Sequence, residues 1–518
     1  TSRYEQMQTW AERALALLPT AVDKTPVYDN LLQASMIQRE YHAGTQLGLS
    51  VLRELGLSLP ETTTPEAIRA EMTAVRDLWQ DQNILALGNR AAVADPRIIS
   101  LMLILYRLNS LMPFTHPQAY PLVALAQVRL SLEQGTSRYS ANAFVVYAIT
   151  LLADEGDIEA GYQFARLALA VLRKHKAREF EAHVQFAFNA LIRFWREPLD
   201  STIGALLDIY TTGQETGDYF HGSLASMVHF LHAFWHGREL EQIESGLETY
   251  QTAISRLQSG YFTPRFQLYR QMMRALMGRT AALTSFATPA NDLTIPPDEV
   301  YDEAAVLASF SARHDQTSIA SWHIFKLILH YLYEEYEQAE EAATAVGERL
   351  VYFKSGYWVI VFNFYQSLTA LAQCAQLAPD SPAWAEKMAL VQRNQTQLVG
   401  WLAHAPQNTE VYWQLVEAER HRAEQRLGQA RLHYEKAITL ARQGGYMHLR
   451  ALAHERAGTF FLQEGHEWLA RFFLTEAHYA YTRWGAYAKA DWLRSSYPNI
   501  VVHSTQNEDV TTTRIRAT

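Results

Sequence analysis

The amino-acid sequence predicts an all-α fold, a right-handed superhelical solenoid of tetratricopeptide-like helix pairs. The main observation is a recurrence: about every forty residues a polar turn opens an amphipathic helix, which is the pattern of stacked helix pairs. A second observation is that strand-like alternation is nearly absent, while glycine and proline fall between the periodic segments. Solenoids of this kind present an extended concave face, and such faces usually bind a ligand or a partner.

Seven helix openings carry the recurrence. In a first group of three, the openings start 41 residues apart, and in a second group of four the steps are 46, 45 and 40 residues. The first group begins at Asp157, Pro198 and Glu239, and the second at Tyr336, Pro382, Leu427 and Glu467. Extended over the whole periodic region, this spacing predicts roughly ten to twelve helix pairs.

Residue types at the turns predict individual helix ends. Gly156 suits a C-cap and Asp157 an N-cap, so a turn separates two paired helices at this point. Thr64 and Asp95 each precede a proline, which is favoured at the first helical position, so both predict an N-cap. Gly485 predicts a left-handed C-cap that ends the helix before it.

Turn residues and changes in periodicity divide the chain into five predicted segments. These are residues 1–135, 136–284, 285–298, 299–497 and 498–518. The first is an array of irregular helical repeats, and the second and fourth hold the regular tetratricopeptide-like pairs. The third is the longest polar interruption and predicts a loop or a hinge, which would divide the solenoid into two arcs. The last lacks periodicity and predicts a linker or tail.

Composition excludes several classes of protein. A chain of 518 residues is too long for one compact core, and 48% hydrophobic with 19% charged residues is globular and not disordered. Lys and Arg total 45 against 54 Asp and Glu, and no basic stripe stands out, so we expect no nucleic-acid partner. The single cysteine, Cys374, excludes a disulfide framework and fits a cytoplasmic protein.

Motifs for membrane insertion and for common catalytic chemistry are absent from the sequence. No stretch of about 18 apolar residues exists, so we expect no membrane span. The phosphate-binding loop, the protein-kinase motifs and the hydrolase and metalloprotease motifs are missing, so we expect this chain to be no enzyme. We likewise expect no cofactor and no metal. The chain starts at Thr1 and not at Met, which indicates a segment of a longer protein.

The C-terminal half carries a series of short motifs. They are Asn363–Leu368, Trp401, Ala405–Asn408, Leu415–Arg420, Tyr434–Ile438, Gly445–Tyr446, Ala451–Glu455 and Trp484–Lys489. This series resembles the helical-repeat region of large bacterial multidomain signalling proteins. Such proteins carry a serine/threonine kinase domain, a signal-transduction (STAND) ATPase domain, this repeat region, a GAF domain and a sensor histidine kinase. The resemblance spans most of the chain and is densest over residues 356–497.

The resemblance implies a non-catalytic sensor and protein-interaction region. In that family the repeats are thought to sense a ligand or partner and to release the ATPase and kinase domains from inhibition. The implied partners are an unknown small molecule or peptide and the flanking ATPase and kinase domains of the parent protein, which would be an ATP-dependent protein kinase. One alternative is a scaffold that holds a peptide or helix without signal transfer. A closed aromatic pocket would favour a small molecule, and an open polar channel a peptide.

A histidine-rich helix is the first candidate site. His229, His232 and His236 follow each other at three- and four-residue spacings, so they share one helix face, and two of them have a spacing that zinc can use. This pattern raises a further alternative, a metal-dependent enzyme. The simpler interpretation is that the histidines pack with Trp235 and its aromatic neighbours. The resemblance predicts small and aromatic residues over 221–236, so the ligand of this chain would differ from that of the family.

An aromatic helix and a charged helix supply further candidates. Tyr357 and Tyr365 belong to a stripe that is either core or a stacking wall for a ligand, and Asn363 and Gln366 add polar groups to it. The remaining candidates are Asn408, Trp413, Glu417, Arg420 and Glu455, and by position alone Arg265, Trp322 and His323. Glu417 and Arg420 are spaced for an ion pair along one helix or for a ligand contact, and Glu455 could reach them from the neighbouring pair.

Overall fold

The computed structural model describes residues 2–60, 63–116, 118–255, 261–289, 300–379 and 381–500. Within these ranges the chain is helical and contains no strand, apart from an isolated bridge between Ala92 and Thr136. Most of the helices pack mainly against the helix next, or next but one, along the chain, as expected for helix pairs. The predicted all-α, solenoid-type fold is therefore confirmed, while its right-handed sense stays a prediction. Among the described helices, none has the length and apolar character needed to cross a bilayer.

The chain forms two compact units. Unit 1 comprises Thr1–Ile192 and Ile209–Gly222, and unit 2 comprises Arg193–Asp208 and Ser223–Thr518. The division between units therefore falls within the predicted segment 136–284. Of the predicted hinge and tail, residues 290–298 and 501–518 lie outside the described residues.

Unit 1 is built from the N-terminal helices. It contains α1 (Ser2–Leu17), α2 (Ala21–Gln38), α3 (Tyr41–Glu54), α4 (Pro65–Asp77), α5 (Pro96–Thr115), α6 (Tyr120–Gln134), α7 (Ser140–Ala153), α8 (Ile158–Lys174) and α9 (Glu181–Ala187). Helices α2, α3 and α5 share one apolar core, in which Leu52 and Leu108 are fully buried. Two further helices, α10 (Asp200–Thr216) and α11 (Tyr219–His236), have residues in both units.

Unit 2 contains the C-terminal pairs. Its helices are α12 (Leu240–Ser255), α13 (Thr263–Met277), α14 (Glu303–Ala312), α15 (Gln316–Leu332), α16 (Tyr336–Val346), α17 (Trp358–Cys374), α18 (Pro382–Leu402), α19 (Pro406–Ala423), α20 (Leu427–Gly444), α21 (Met447–Gln463), α22 (Glu467–Trp484) and α23 (Tyr487–Ser496). The seven predicted helix openings begin α8, α10, α12, α16, α18, α20 and α22, the second helices of their pairs. Each begins within two residues of its predicted position, which confirms the recurrence.

The predicted N-caps and the Gly485 C-cap are also confirmed, whereas α7 has its C-cap at Asp154, two residues before the predicted Gly156. The side chain of Asp157 accepts a hydrogen bond from the backbone nitrogen of Ala160 at 3.0 Å, as an N-cap does. Thr64 and Asp95 cap α4 and α5 in the same way. Gly485 has a φ of +93°, so α22 ends in the left-handed conformation that glycine adopts without strain.

The two helices of each pair in unit 2 differ in burial. Helices α17 and α21 are buried around most of their circumference, whereas α18 and α22 keep one face in solvent. A helix that is buried on most sides belongs to the interior of its unit. The first helices of the pairs therefore form the core of unit 2, and the second helices form its outer layer.

Helices from the two ends of unit 2 contact each other. The rings of Phe234 on α11 and Trp484 on α22 are stacked, with centroids 5.7 Å apart. Gly237, directly after α11, lies so close to α21 that a Cβ atom would be 2.6 Å from the backbone nitrogen of Met447. These contacts join the first and last pairs of the unit.

Candidate functional site

A cavity of about 500 Å³ lies in unit 2, where the C-terminal ends of α17, α19 and α21 meet. Its polar lining residues include Glu334, Glu419, Arg422, Gln425, Arg456 and Gln463, and its aromatic ones are Tyr336, Trp384 and Tyr497. The volume falls in the range typical of small-molecule pockets, roughly 300–1,000 Å³. Charged and aromatic groups on one cavity wall can orient a ligand that has both polar and apolar parts.

A buried ion pair forms one wall of the cavity. Arg456 donates two hydrogen bonds to the carboxylate of Glu419, at 3.0 and 3.1 Å, and the hydroxyl of Tyr434 donates a third at 2.5 Å. Burial of Glu419 opposes its ionisation, but the charges of Arg456 and Arg422 outweigh burial and lower its pKa to about 2. The carboxylate is therefore charged at neutral pH.

Arg422 extends the charged wall toward solvent. Its guanidinium lies 3.3 Å from the hydroxyl of Thr459 and also donates to Gln463, so α19 and α21 are joined beside the cavity. Its charge also acts on Glu419, 3.5 Å away. Two arginines and a glutamate thus surround the space that a ligand would enter.

We expect the stability of unit 2 to decrease between about pH 4.5 and about pH 2, in part because of Glu419. The pKa of this carboxyl is lower in the folded chain than its ordinary value of 4.5, so its contribution is complete above pH 4.5 and is lost as the pH falls through about 2. Urea unfolding at a series of pH values measures this dependence. The variant Glu419→Gln should show a smaller slope in that window, and an unchanged slope would contradict the assignment.

Asn408, one of the predicted site residues, is a fully buried hydrogen-bonding centre. Its Nδ2 donates to the carbonyl oxygens of Phe194 and Glu197, at 2.5 and 2.7 Å. Its Oδ1 accepts from the backbone nitrogen of Leu199 at 2.9 Å and from the hydroxyl of Tyr446 at 3.1 Å. The hydrogen-bonding capacity of this side chain is therefore used to hold the turn before α10 against α19.

The predicted aromatic candidates lie in the packed interior of unit 2. Tyr357 donates a hydrogen bond to the carbonyl of Asn408 at 3.0 Å, and its ring lies 6.4 Å from that of His232. The ring of Trp235 lies 5.3 Å from that of Trp358. The structure thus brings three predicted residues together, Tyr357, Asn408 and His232, as parts of one core.

The two predicted amide residues of α17 join it to α18. Asn363 donates to the side-chain oxygen of Gln397 at 2.6 Å, and Gln366 accepts from Asn394 at 3.0 Å. The ring of Tyr365, on the same helix, packs at 5.6 Å from that of Tyr331. These polar groups therefore bind the two helices of one pair together.

Two of the three histidines of α11 have their own hydrogen-bond partners, and the third, His236, packs with its ring centroid 5.1 Å from that of Tyr446. His229 bonds the carbonyl of Ile203, and His232 bonds the hydroxyl of Thr202, both at 2.7 Å. Burial lowers the pKa of His232 to about 3, so this ring is neutral. Within the described residues, these histidines do not belong to any group of three metal-ligating atoms that lie close together. The metal-centred alternative therefore finds no ligand set on α11, because each ring is turned toward a different packing partner.

The candidates chosen by position alone lie away from the cavity. Arg265 on α13 forms a two-pronged ion pair with Asp315, with distances of 2.6 and 3.1 Å, and so ties α13 to the start of α15. Trp322 packs with its ring centroid 5.9 Å from that of Phe286. Burial lowers the pKa of His323 to about 4. None of the three is among the residues lining the cavity.

The predicted charged candidates divide between two places. Arg420 donates to Glu417, which confirms the ion pair along α19. Glu455 does not join them: it pairs with Lys489 at 2.7 Å and accepts from the hydroxyl of Tyr481 at 2.6 Å, so it faces the following helices. The ring of Trp413 lies beside a histidine of α20.

Sequence reasoning missed the residues of the cavity wall. Glu419 stands two positions after Glu417 and therefore points to the opposite side of α19, toward Arg456. No signal in the sequence distinguished Glu419 and Arg456, because other charged residues stand beside them on the same helices, such as Arg420 on α19 and Glu455 on α21. The cavity itself has no signature in the sequence. A comparison with known protein families and a comparison with curated proteins both find no match for this chain.

Proposed function

We propose that this chain is a non-catalytic, cytoplasmic ligand-sensing and protein-interaction region that regulates an attached signalling ATPase and kinase. The cavity between α17, α19 and α21 is the ligand site. The observation that carries the proposal is the charged wall formed by Glu419, Arg456 and Arg422 beside a space of about 500 Å³. Charged groups held at a cavity supply directional contacts for a small molecule.

The lining defines the chemistry of the ligand. Arg422 offers guanidinium donors to a carboxylate or phosphate group, which arginine binds strongly. Trp384 and Tyr336 offer ring surfaces to a planar or apolar part of the same molecule. A small anionic compound with a planar portion fits both features.

The position of the cavity supplies a route for a signal. Its walls come from α17, α19 and α21, the first helices of three successive pairs, so a bound molecule contacts all three pairs. A ligand that fits one arrangement of these pairs better than another shifts the population toward that arrangement. The attached domains would respond to that change in packing.

Native mass spectrometry of the chain purified from its own host is expected to show a retained small molecule. Arg422→Gln, which removes the charge at the cavity, should lower the retained fraction about tenfold. Ala423→Phe, which fills the cavity, should abolish retention. Arg442→Gln is the control, because it removes the same charge from an exposed site on α20. Equal retention in the Arg422 and Arg442 variants, or an apo mass in all of them, would reject the cavity as the site.

The regulatory role is tested in the full-length parent protein. Ala423→Phe should remove the effect of the retained compound on kinase output, while Arg442→Gln should leave it intact. Kinase output that does not change with the compound or with either variant would leave no regulatory role for this cavity.

A scaffold function is the second candidate, favoured by the outer face of α22. Trp468, Phe472 and Tyr479 lie on one side of this helix, each at least 50% exposed. Exposed aromatic residues in a row are typical of protein-interaction surfaces. Copurification of a protein that is lost in Trp468→Ala but kept in Ala423→Phe would favour this function over ligand sensing.

A further inference from the structure

We propose that Glu417, His421 and His433 form a binding site for a first-row divalent metal ion, with Zn²⁺ the best fit. One ligand atom from each of the three side chains lies within 4.8 Å of the other two. Within the described residues this is the only such group of histidine, cysteine and carboxylate side chains. The site is separate from the cavity, whose lining includes none of the three.

Helix geometry brings the three side chains together. Glu417 and His421 are four residues apart on α19, so they lie one turn apart on the same face. His433 approaches from α20, the second helix of the same pair, with its ring centroid 5.1 Å from that of His421. Two imidazoles and one carboxylate are a ligand set that zinc accepts with a fourth position left for water or another ligand.

Neighbouring amides already orient two of the ligands. Gln414 accepts a hydrogen bond from Nδ1 of His433 at 2.7 Å, which leaves the lone pair of the neutral ring on Nε2. Gln395 donates to Oε1 of Glu417 at 2.6 Å. Hydrogen-bond partners that contact a metal-binding histidine or carboxylate, and not the metal itself, fix the orientation of that side chain.

His421 presents one ring nitrogen to Glu417 and the other to a different carboxylate. This side chain is buried, yet its Nδ1 has no hydrogen-bond partner among the described residues. Its Nε2 lies 3.7 Å from Oε2 of Glu417, too far for a hydrogen bond. A metal ion between Nε2 and Oε2 would bind both atoms as ligands. The unpartnered Nδ1 lies on the other edge of the ring, 3.6 Å from Oε2 of Glu424.

Arg420 competes with the metal. Its guanidinium donates to Oε2 of Glu417, the oxygen that faces His421. A bound metal must displace this contact, and the remaining positive charge opposes the ion. Arg420 is partly exposed, so its side chain is able to turn toward solvent.

The test is a titration of the chelator-treated full chain with ZnCl₂, followed by calorimetry, and with CoCl₂, followed by visible absorption. We expect one ion per chain and a higher thermal unfolding midpoint with Zn²⁺. His433→Ala should weaken binding at least about tenfold, because a ligand is lost. His466→Ala, which removes an exposed imidazole from the start of α22, is the control and should bind as the unchanged chain does.

Arg420→Gln keeps the test decisive should His433→Ala fail to fold. Removal of the competing charge should tighten Zn²⁺ binding severalfold, whereas ions bound elsewhere on the surface would not respond. The site is rejected if the unchanged chain shows no saturable binding. It is also rejected if neither His433→Ala nor Arg420→Gln alters the affinity.

Discussion

Replacing Asn408 by alanine is expected to lower the free energy of unfolding of unit 2 by about 4 kcal/mol. The substitution removes four hydrogen bonds at a residue with no solvent exposure. It leaves the backbone nitrogen of Leu199 and the carbonyls of Phe194 and Glu197 without the partner that satisfied them. Each buried group left unpaired costs roughly 1–3 kcal/mol. Partial rearrangement around the new side chain keeps the total loss of stability below the sum of the largest of these costs.

Urea unfolding followed by tryptophan fluorescence measures this loss, since Trp195 lies in the segment that Asn408 holds. The matched control is Gln407→Ala. Gln407 is exposed and donates one hydrogen bond to the same segment, at the carbonyl of Arg196, so its loss should cost less than about 1 kcal/mol. Similar midpoints for the two variants would show that Asn408 is not the centre that holds the segment.

The second large effect concerns the buried pair of the cavity wall. Arg456→Met should destabilise unit 2 by roughly 3–5 kcal/mol, because it leaves the carboxylate of Glu419 buried without its strongest partner. The double variant Glu419→Leu/Arg456→Met should recover most of that loss, since a buried pair often gives little more stability than apolar side chains of similar volume.

The same measurement on an exposed pair supplies the control. Arg431 and Glu435 are 3.2 Å apart on α20 and both more than half exposed, so Arg431→Met should change stability by less than about 0.5 kcal/mol. If the double variant were no more stable than Arg456→Met, the cost would come from lost packing and not from the uncompensated charge.

The sequence predicted those features that depend on local spacing. Helix openings such as Asp157 and Glu467 follow from a polar turn before an amphipathic segment, and both are confirmed. The partners of individual charged residues could not be predicted in the same way. The sequence suggested that Glu455 could reach Glu417 and Arg420 from the neighbouring pair, but the structure has Lys489 opposite it.

The candidate site shows the same limit. His232 and His236 have the four-residue spacing that suits a metal on an isolated helix, yet His232 is hydrogen-bonded to Thr202 of α10 and His236 packs against the ring of Tyr446. The proposed metal ligands were not found together because His433 comes from a second helix, and only the packing of α20 on α19 brings it to His421. Distances between helices are set by side-chain packing, which a single sequence does not reveal.

The contact between the two ends of unit 2 also restricts how this protein can change in evolution. In an open array each repeat touches only its neighbours, so repeats can be gained or lost while the rest persists. Here Gly237 and Met447, 210 positions apart in the chain, touch, and Phe234 stacks on Trp484. Insertion or deletion of a single pair would shift one partner away from the other. The number of pairs in this unit is therefore fixed by its geometry, and variation in length is expected in its turns instead.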